Sequence, residues 1–95
     1  MSQPEMRVDK YGIKKWYLNS NLHREDGPAV EWSSGSKWWY LHGEKHREDG
    51  PATIQYENDK IFSEYYFQLG RPCNPRGPDI IIYHSDGIVE YKHSS

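Results

Sequence analysis

The sequence predicts an all-β fold: an antiparallel meander of about four β-hairpin repeats forming a curled single sheet. Three observations predict it. Trp16-Tyr17-Leu18 with His23 to Ala29 recurs as Trp39-Tyr40-Leu41 with His46 to Ala52, an offset of 23 residues, and self-similarity at that period marks a repeat architecture. No segment carries a sustained apolar spacing at helical period, so helix content is expected near zero. Short runs rich in Trp, Tyr, Ile and Val alternate with Gly, Ser, Asn and Asp clusters, the pattern of strands and turns.

The elements follow in order. Met6 to Asp9 and Ile13 to Asn19 form a first, weaker strand pair. Pro28 to Trp32 leads through the turn Ser33-Ser34-Gly35-Ser36 into Lys37 to Leu41. Pro51 to Glu57 pairs with Ile61 to Gln68, and Pro78 to His84 with Ile88 to His93. Sequential strands tend to be neighbours, so about eight short strands in a meander is the economical topology.

A shift of 27 residues finds a third, decayed copy. Tyr66-Phe67 takes the place of Trp39-Tyr40, Gly70 that of Gly43, and Gly77-Pro78 that of Gly50-Pro51. Four extra residues fall near Asn58-Asp59-Lys60, and His-Arg-Glu-Asp gives way to Pro72-Cys73-Asn74-Pro75-Arg76. Gly12 matches Gly35 upstream, and Ser85-Asp86-Gly87 resembles Ser33-Ser34-Gly35 downstream. One domain, 1–95, then divides into a partial repeat (7–29), a repeat (30–52), a degenerate repeat (53–79) and a capping hairpin (80–93). Atypical end units are expected, because a terminal unit has a neighbour on one side only.

Alternation puts Trp16 and Leu18 on one face with Trp39 and Leu41, and turns Tyr17 and Tyr40 the other way. Rings on both sides of one sheet require curling, a partner or dimerisation to cover the second face. Only 35% of residues are hydrophobic, but 15% are aromatic, which sets the chain apart from disordered sequences. A net charge of −2 carries no basic field for long nucleic acids or anionic membranes. The single cysteine, Cys73, excludes an intramolecular disulfide and fits a reducing, cytoplasmic setting. No apolar run approaches the roughly 20 residues of a spanning helix.

His-Arg-Glu-Asp invites a catalytic reading, but it is duplicated in adjacent units, whereas an active site needs one asymmetric constellation. Each residue also has a structural role at hand. Asp26 and Asp49 can bond nearby backbone N–H groups, Gly27 and Gly50 permit positive φ, and Pro28 and Pro51 open strands. Arg24 and Arg47 pair with carboxylates of their own loops. His23, His46 and Cys73 hold equivalent positions, yet in a linear meander these lie about 9–10 Å apart. A shared zinc needs ligands at about 2.0–2.3 Å, so no metal or other cofactor is expected. There is no phosphate loop, G-x-S-x-G, C-x-x-C or H-E-x-x-H motif.

The pattern G-x-x-x-W-Y followed by H-R-x-D-G-P-A resembles the variant MORN-type repeats of small phage, prophage and bacterial proteins, well over Gly12 to Ala52 and as a trace over Tyr65 to Tyr83. It departs from ordinary MORN repeats, which favour Tyr-x-Gly and Gly-x-Gly, so lipid-binding roles proposed for those do not carry over. The resemblance implies a hairpin-repeat sheet serving as an interaction module, with no catalytic residues. By analogy of size, it also implies an accessory protein that blocks a host enzyme or defence component.

The function expected is therefore non-enzymatic binding of another protein. Trp38, Tyr40 and Tyr17 would act as aromatic anchors. Glu25, Asp26, Glu48 and Asp49 would supply rim charge. The alternative is capture of a small nucleotide or single-stranded nucleic acid by rings with Arg71 and Arg76, joined by Arg24 or Arg47. A hydrolase using His46 and Glu48 is the least supported, and a homodimer is one way to cover the second face.

Overall fold

Two kinds of tight turn organise the chain. The computed structural model describes residues 3–58, 60–75 and 77–93. Its strands are, in order, β1 (Glu5–Val8), β2 (Lys14–Leu18), β3 (Asn21–Leu22), β4 (Val30–Glu31), β5 (Lys37–Trp38), β6 (Tyr40–Leu41) and β7 (Glu44–Lys45). There follow β8 (Thr53–Glu57), β9 (Lys60–Tyr65), β10 (Phe67–Gln68), β11 (Arg71–Pro72), β12 (Ile80–Tyr83) and β13 (Val89–Lys92). Among the described residues there is no helix, and the fold is an all-β antiparallel meander.

The first kind of turn caps the long hairpins β1/β2, β4/β5 and β12/β13. Gly12, Gly35 and Gly87 have φ of 82°, 98° and 91°. Each donates its N–H three residues back, to Asp9, Trp32 and His84, whose own N–H groups bond Ile13, Ser36 and Ile88. A left-handed turn residue favours glycine, because a Cβ there crowds the neighbouring carbonyl. The hairpin β8/β9 differs. Its arms are longer, a bulge interrupts it between Gln55 and Tyr56, and Asn58 at its tip has φ 53°. The four extra residues of the third copy lengthen these two arms.

The second kind makes three short hairpins. Tyr17 and Leu18 turn back on Asn21 and Leu22, Tyr40 and Leu41 on Glu44 and Lys45, Phe67 and Gln68 on Arg71 and Pro72. Both central residues of each turn are left-handed: Asn19-Ser20 at 51° and 68°, His42-Gly43 at 50° and 84°, Leu69-Gly70 at 50° and 81°. Positive φ at both positions is the I′ geometry that matches the twist of paired strands.

The main sheet runs β1-β2-β4-β5-β8-β9-β12-β13, with β3 added on β2, while β6/β7 and β10/β11 stand as separate ladders. The main sheet is open, with β1 and β13 as its two ends. The expected single sheet is corrected in one respect: two of the three short hairpins, β6/β7 and β10/β11, leave the main sheet where Trp39 and Tyr66 interrupt the strands. A strand read as continuous from Lys37 to Leu41 changes partner midway: Trp39 N–H bonds Ala52 O, and Trp39 O accepts from His46 N–H.

The same bonds recur through the array. Trp16, Trp39 and Tyr66 donate to Ala29, Ala52 and Asp79, which donate in turn to Trp38, Tyr65 and Lys92. Since Trp38, Tyr65 and Lys92 also face Val30, Thr53 and Ile80 in register, two residues oppose one at each site, a β-bulge. The bulge turns the chain from the short hairpin into the long one. Ala29 and Ala52, both fully buried, sit there, with Val30 beside them completing the buried apolar core. The third copy places a buried aspartate, Asp79, at the alanine position.

Candidate functional site

Between each short hairpin and the next long one runs a loop: residues 23–28 and 46–51, and in the third copy 73–75 with 77–78. The loops line one end of the array, and contacts between units hold them. His23 is 3% exposed and its Nδ1 accepts the backbone N–H of His42 at 2.9 Å. His46 Nδ1 accepts the N–H of Leu69 at 3.0 Å. His42 and Leu69 are the first residues of I′ turns, whose N–H groups have no partner within their own hairpin. Each histidine therefore pins the next unit's turn to its own loop. Arg24 N–H to Tyr40 O and Arg47 N–H to Phe67 O reinforce the same junctions.

The arginines fold the loops around themselves. The Arg24 guanidinium lies 3.9 Å from the Trp16 ring, with Nε on Asp26 Oδ1 at 3.1 Å and Nη1 on Pro28 O and Glu31 Oε2 at 3.2 and 3.1 Å. Arg47 repeats this over Trp39 at 3.9 Å, bonding Asp49 Oδ1 at 3.0 Å and Pro51 O at 3.2 Å. Pairing of each arginine with its own loop's carboxylate agrees with the sequence reading. Two assignments are corrected. Asp26 and Asp49 hold arginine rather than backbone N–H. Gly27 and Gly50 do not have positive φ; a Cβ at either would stand 3.0 Å from the guanidinium carbon of Arg24 or Arg47, a tight contact that the arginine would have to relieve. A side chain at either glycine would have to push back a guanidinium that its ring and loop bonds hold in place.

The third loop shows which parts the geometry needs. Asn74, at the arginine position, donates Nδ2 to Pro78 O at 2.8 Å, the bond that Nη1 makes elsewhere. Cys73, at the histidine position, places Sγ 3.9 Å from Gln68 Oε1. Among the described residues no further short hairpin follows, so no turn amide there calls for a histidine.

With histidine and arginine turned inward, the carboxylates remain outside. Glu25, Asp26, Glu48 and Asp49 are 82%, 88%, 85% and 87% exposed. Asp26 and Asp49 balance the arginines. Glu25 and Glu48 approach only His23 and His46 Nε2, at 3.9 and 3.7 Å, and leave the face negative. An open groove of about 670 Å³ separates the first two loops, floored by Trp39, Leu41 and Arg47, and another of about 310 Å³ separates the second and third, beside Tyr66 and Asn74.

The other expected site residues lie elsewhere. Trp38 is half-buried in β5, edge-on to Trp32 with ring centroids 4.9 Å apart, and Lys45 Nζ is 5.4 Å from its ring. Tyr17 is half-buried under the Arg7 guanidinium at 5.4 Å. Tyr40 is half-buried in β6, and burial raises its hydroxyl pKa above 10.0. Arg71 is exposed on β11, whereas Arg24 and Arg47 are engaged as above. Arg76 lies outside the described residues. The structure thus groups the four carboxylates with Trp39 and Leu41, not with Trp38 and Tyr40. The signal was in the alternation, which put Trp39 and Leu41 on a face of their own. Among the described residues no three His, Cys, Asp or Glu side chains converge as metal ligands, and no helix is long and apolar enough to cross a membrane.

No protein-family model, curated protein or solved structure matches the chain.

Proposed function

We propose that the protein is a non-enzymatic binding module that docks its ladder of acidic loops on a cationic surface of another protein. The carrying observation is the division of labour within each loop. Histidine Nδ1, the arginine guanidinium and the aspartate carboxylate serve architecture, and Glu25 and Glu48 are left exposed at the repeat spacing beside grooves floored by rings. Loops pinned by the histidine and arginine bonds lower the ordering cost of binding, and complementary charge raises on-rate and specificity more than bulk affinity. In the form suggested by the MORN-type resemblance, the partner is a host enzyme or defence component. The reading as a binder rather than a hydrolase is supported by the same contacts, since His46 has Nδ1 committed to the backbone of the next unit.

The test is the Glu25→Gln, Glu48→Gln double variant, which changes charge but touches neither the arginine stack nor the histidine bonds to the turns. The melting temperature should stay within about 2 °C of wild type, since exposed carboxylates of this kind contribute about 0–1 kcal/mol. Capture of proteins from the native cell extract at low salt should fall, and wild-type capture should weaken as salt rises. Equal capture by variant and wild type sinks the reading.

A further inference from the structure

The main sheet ends at β13, and the outward edge of that strand has a defined hydrogen-bonding phase. His84 N–H bonds Ile88 O and Asp79 N–H bonds Lys92 O. With Ile82 facing Glu90 and Ile80 facing Lys92, the residues of β13 that bond inward are Glu90 and Lys92. Antiparallel ladders alternate, so Val89, Tyr91 and His93 turn their N–H and C=O groups outward.

We propose that this edge is a self-complementary surface on which a second copy of the chain pairs, antiparallel, about a two-fold axis at Tyr91. The phase permits that centre, because Tyr91 then faces Tyr91 of the second copy as a hydrogen-bonded pair and Val89 faces His93 on either side. In the same register Glu90 faces Lys92 of the second copy twice, in the non-hydrogen-bonded positions where cross-strand side chains come closest. These charges are half-exposed, with only a loose contact between Glu90 and Lys92 of one chain at 3.9 Å and a contact of Glu90 to His84. Tyr91 is 63% exposed and Ile88 59%, so the edge also offers apolar surface to bury.

Charge separates this arrangement from an open filament. Continuing the array head to tail in the register used between its own units would set Lys92 against Arg7 and Glu90 against Asp9 of the next copy, two like-charge pairs. Sliding by two residues relieves the charges but opposes His93 with Pro4, which has no N–H to give. The two-fold pairing keeps every amide and every opposite charge, and it closes.

Light scattering on size-exclusion fractions of the full chain, over a range of concentrations, tests this. A concentration-dependent species of twice the 11.3 kDa chain mass is expected. Glu90→Lys and Lys92→Glu, each alone, turn both cross-copy pairs repulsive and should weaken dimerisation at least about tenfold. The double swap Glu90→Lys, Lys92→Glu restores opposite charges and should restore the dimer, which also controls for folding. A monomer at every concentration, a mass series beyond two copies, or a dimer indifferent to the single reversals overturns the proposal.

Discussion

The imidazole Nδ1 of His46 receives the backbone N–H of Leu69 at 3.0 Å, and these residues are 23 apart in sequence. The same bond joins His23 to His42. A side chain of one unit thus completes the turn of the next, which makes neighbouring units interdependent in the manner of stacked repeats.

His46→Ala removes the acceptor of the exposed Leu69 amide, which water can then solvate, so the cost is that of one net hydrogen bond, about 0.5–1.5 kcal/mol. For a chain of this size each kcal/mol lowers Tm by about 4–8 °C. A thermal melt followed by circular dichroism should show the loss. A catalytic His46 would instead leave Tm nearly unchanged, so an unshifted melt contradicts the structural role assigned to it.

The repeat and the turn glycines Gly12, Gly35 and Gly87 were legible in sequence, because each reflects a local demand that residue type reports, whereas Pro28 and Pro51 stand two residues before the strands they were expected to open. The short hairpins were not legible. Only His42-Gly43 and Leu69-Gly70 carry a glycine, and alternation continues smoothly through Trp39 while the backbone exchanges one partner strand for another. The site was legible as a loop with a duplicated motif and four carboxylates. What histidine and glycine do there was hidden, because one acts on the following unit and the other on a guanidinium brought back by folding. The loss of histidine in the third copy, which looked like decay, follows from the absence of a further short hairpin after Cys73 among the described residues.

Leu69 has φ 50° and is 65% exposed. A left-handed conformation costs an ordinary L-residue about 1–2 kcal/mol, and asparagine tolerates it better. The first turn of the series already has asparagine, Asn19, at the matching place with φ 51°. Leu69→Asn keeps the backbone N–H that His46 accepts, and it should stabilise the fold by about 0.5–1 kcal/mol. Leu69→Val, β-branched, should destabilise it. A chemical denaturation series of the two variants decides, and a less stable asparagine variant refutes the assignment of strain.

The hydroxyl of Tyr83 hydrogen-bonds the Glu64 carboxylate. This bond first, then burial and the nearby negative charge, push the Tyr83 pKa from 10.0 up to about 12. A raised pKa means that the folded state favours the protonated phenol. Tyr83 therefore contributes its stability in full below pH 10, and the contribution is lost as pH rises through about 12. Tyr83→Phe should delete the latest step in the tyrosinate absorbance titration and flatten the fall of Tm over that window. A titration curve of unchanged shape counts against the bond.

Gly50 and Arg47 provide the sharpest test of the loop, because the sign of one substitution should depend on the other residue. Gly50 has ordinary negative-φ backbone, so alanine meets no conformational obstacle there and would by itself restrict the unfolded chain, a gain of about 0.4–1 kcal/mol. With Arg47 in place, however, the new methyl stands 3.0 Å from the guanidinium carbon and 3.2 Å from Nε. It must displace a group held by the Trp39 ring, Asp49 and the Pro51 carbonyl. Gly50→Ala alone should thus cost about 1–3 kcal/mol, the range for overpacking a well-filled site. Arg47→Ala alone should cost about 1–2 kcal/mol through loss of the stacked cation and its bonds. In the Arg47→Ala background Gly50→Ala should turn neutral or stabilising, giving a coupling of at least about 1 kcal/mol in a double-mutant cycle. Additive effects would mean that the glycine serves the backbone after all, and that the guanidinium stack is not what excludes a side chain from the loop.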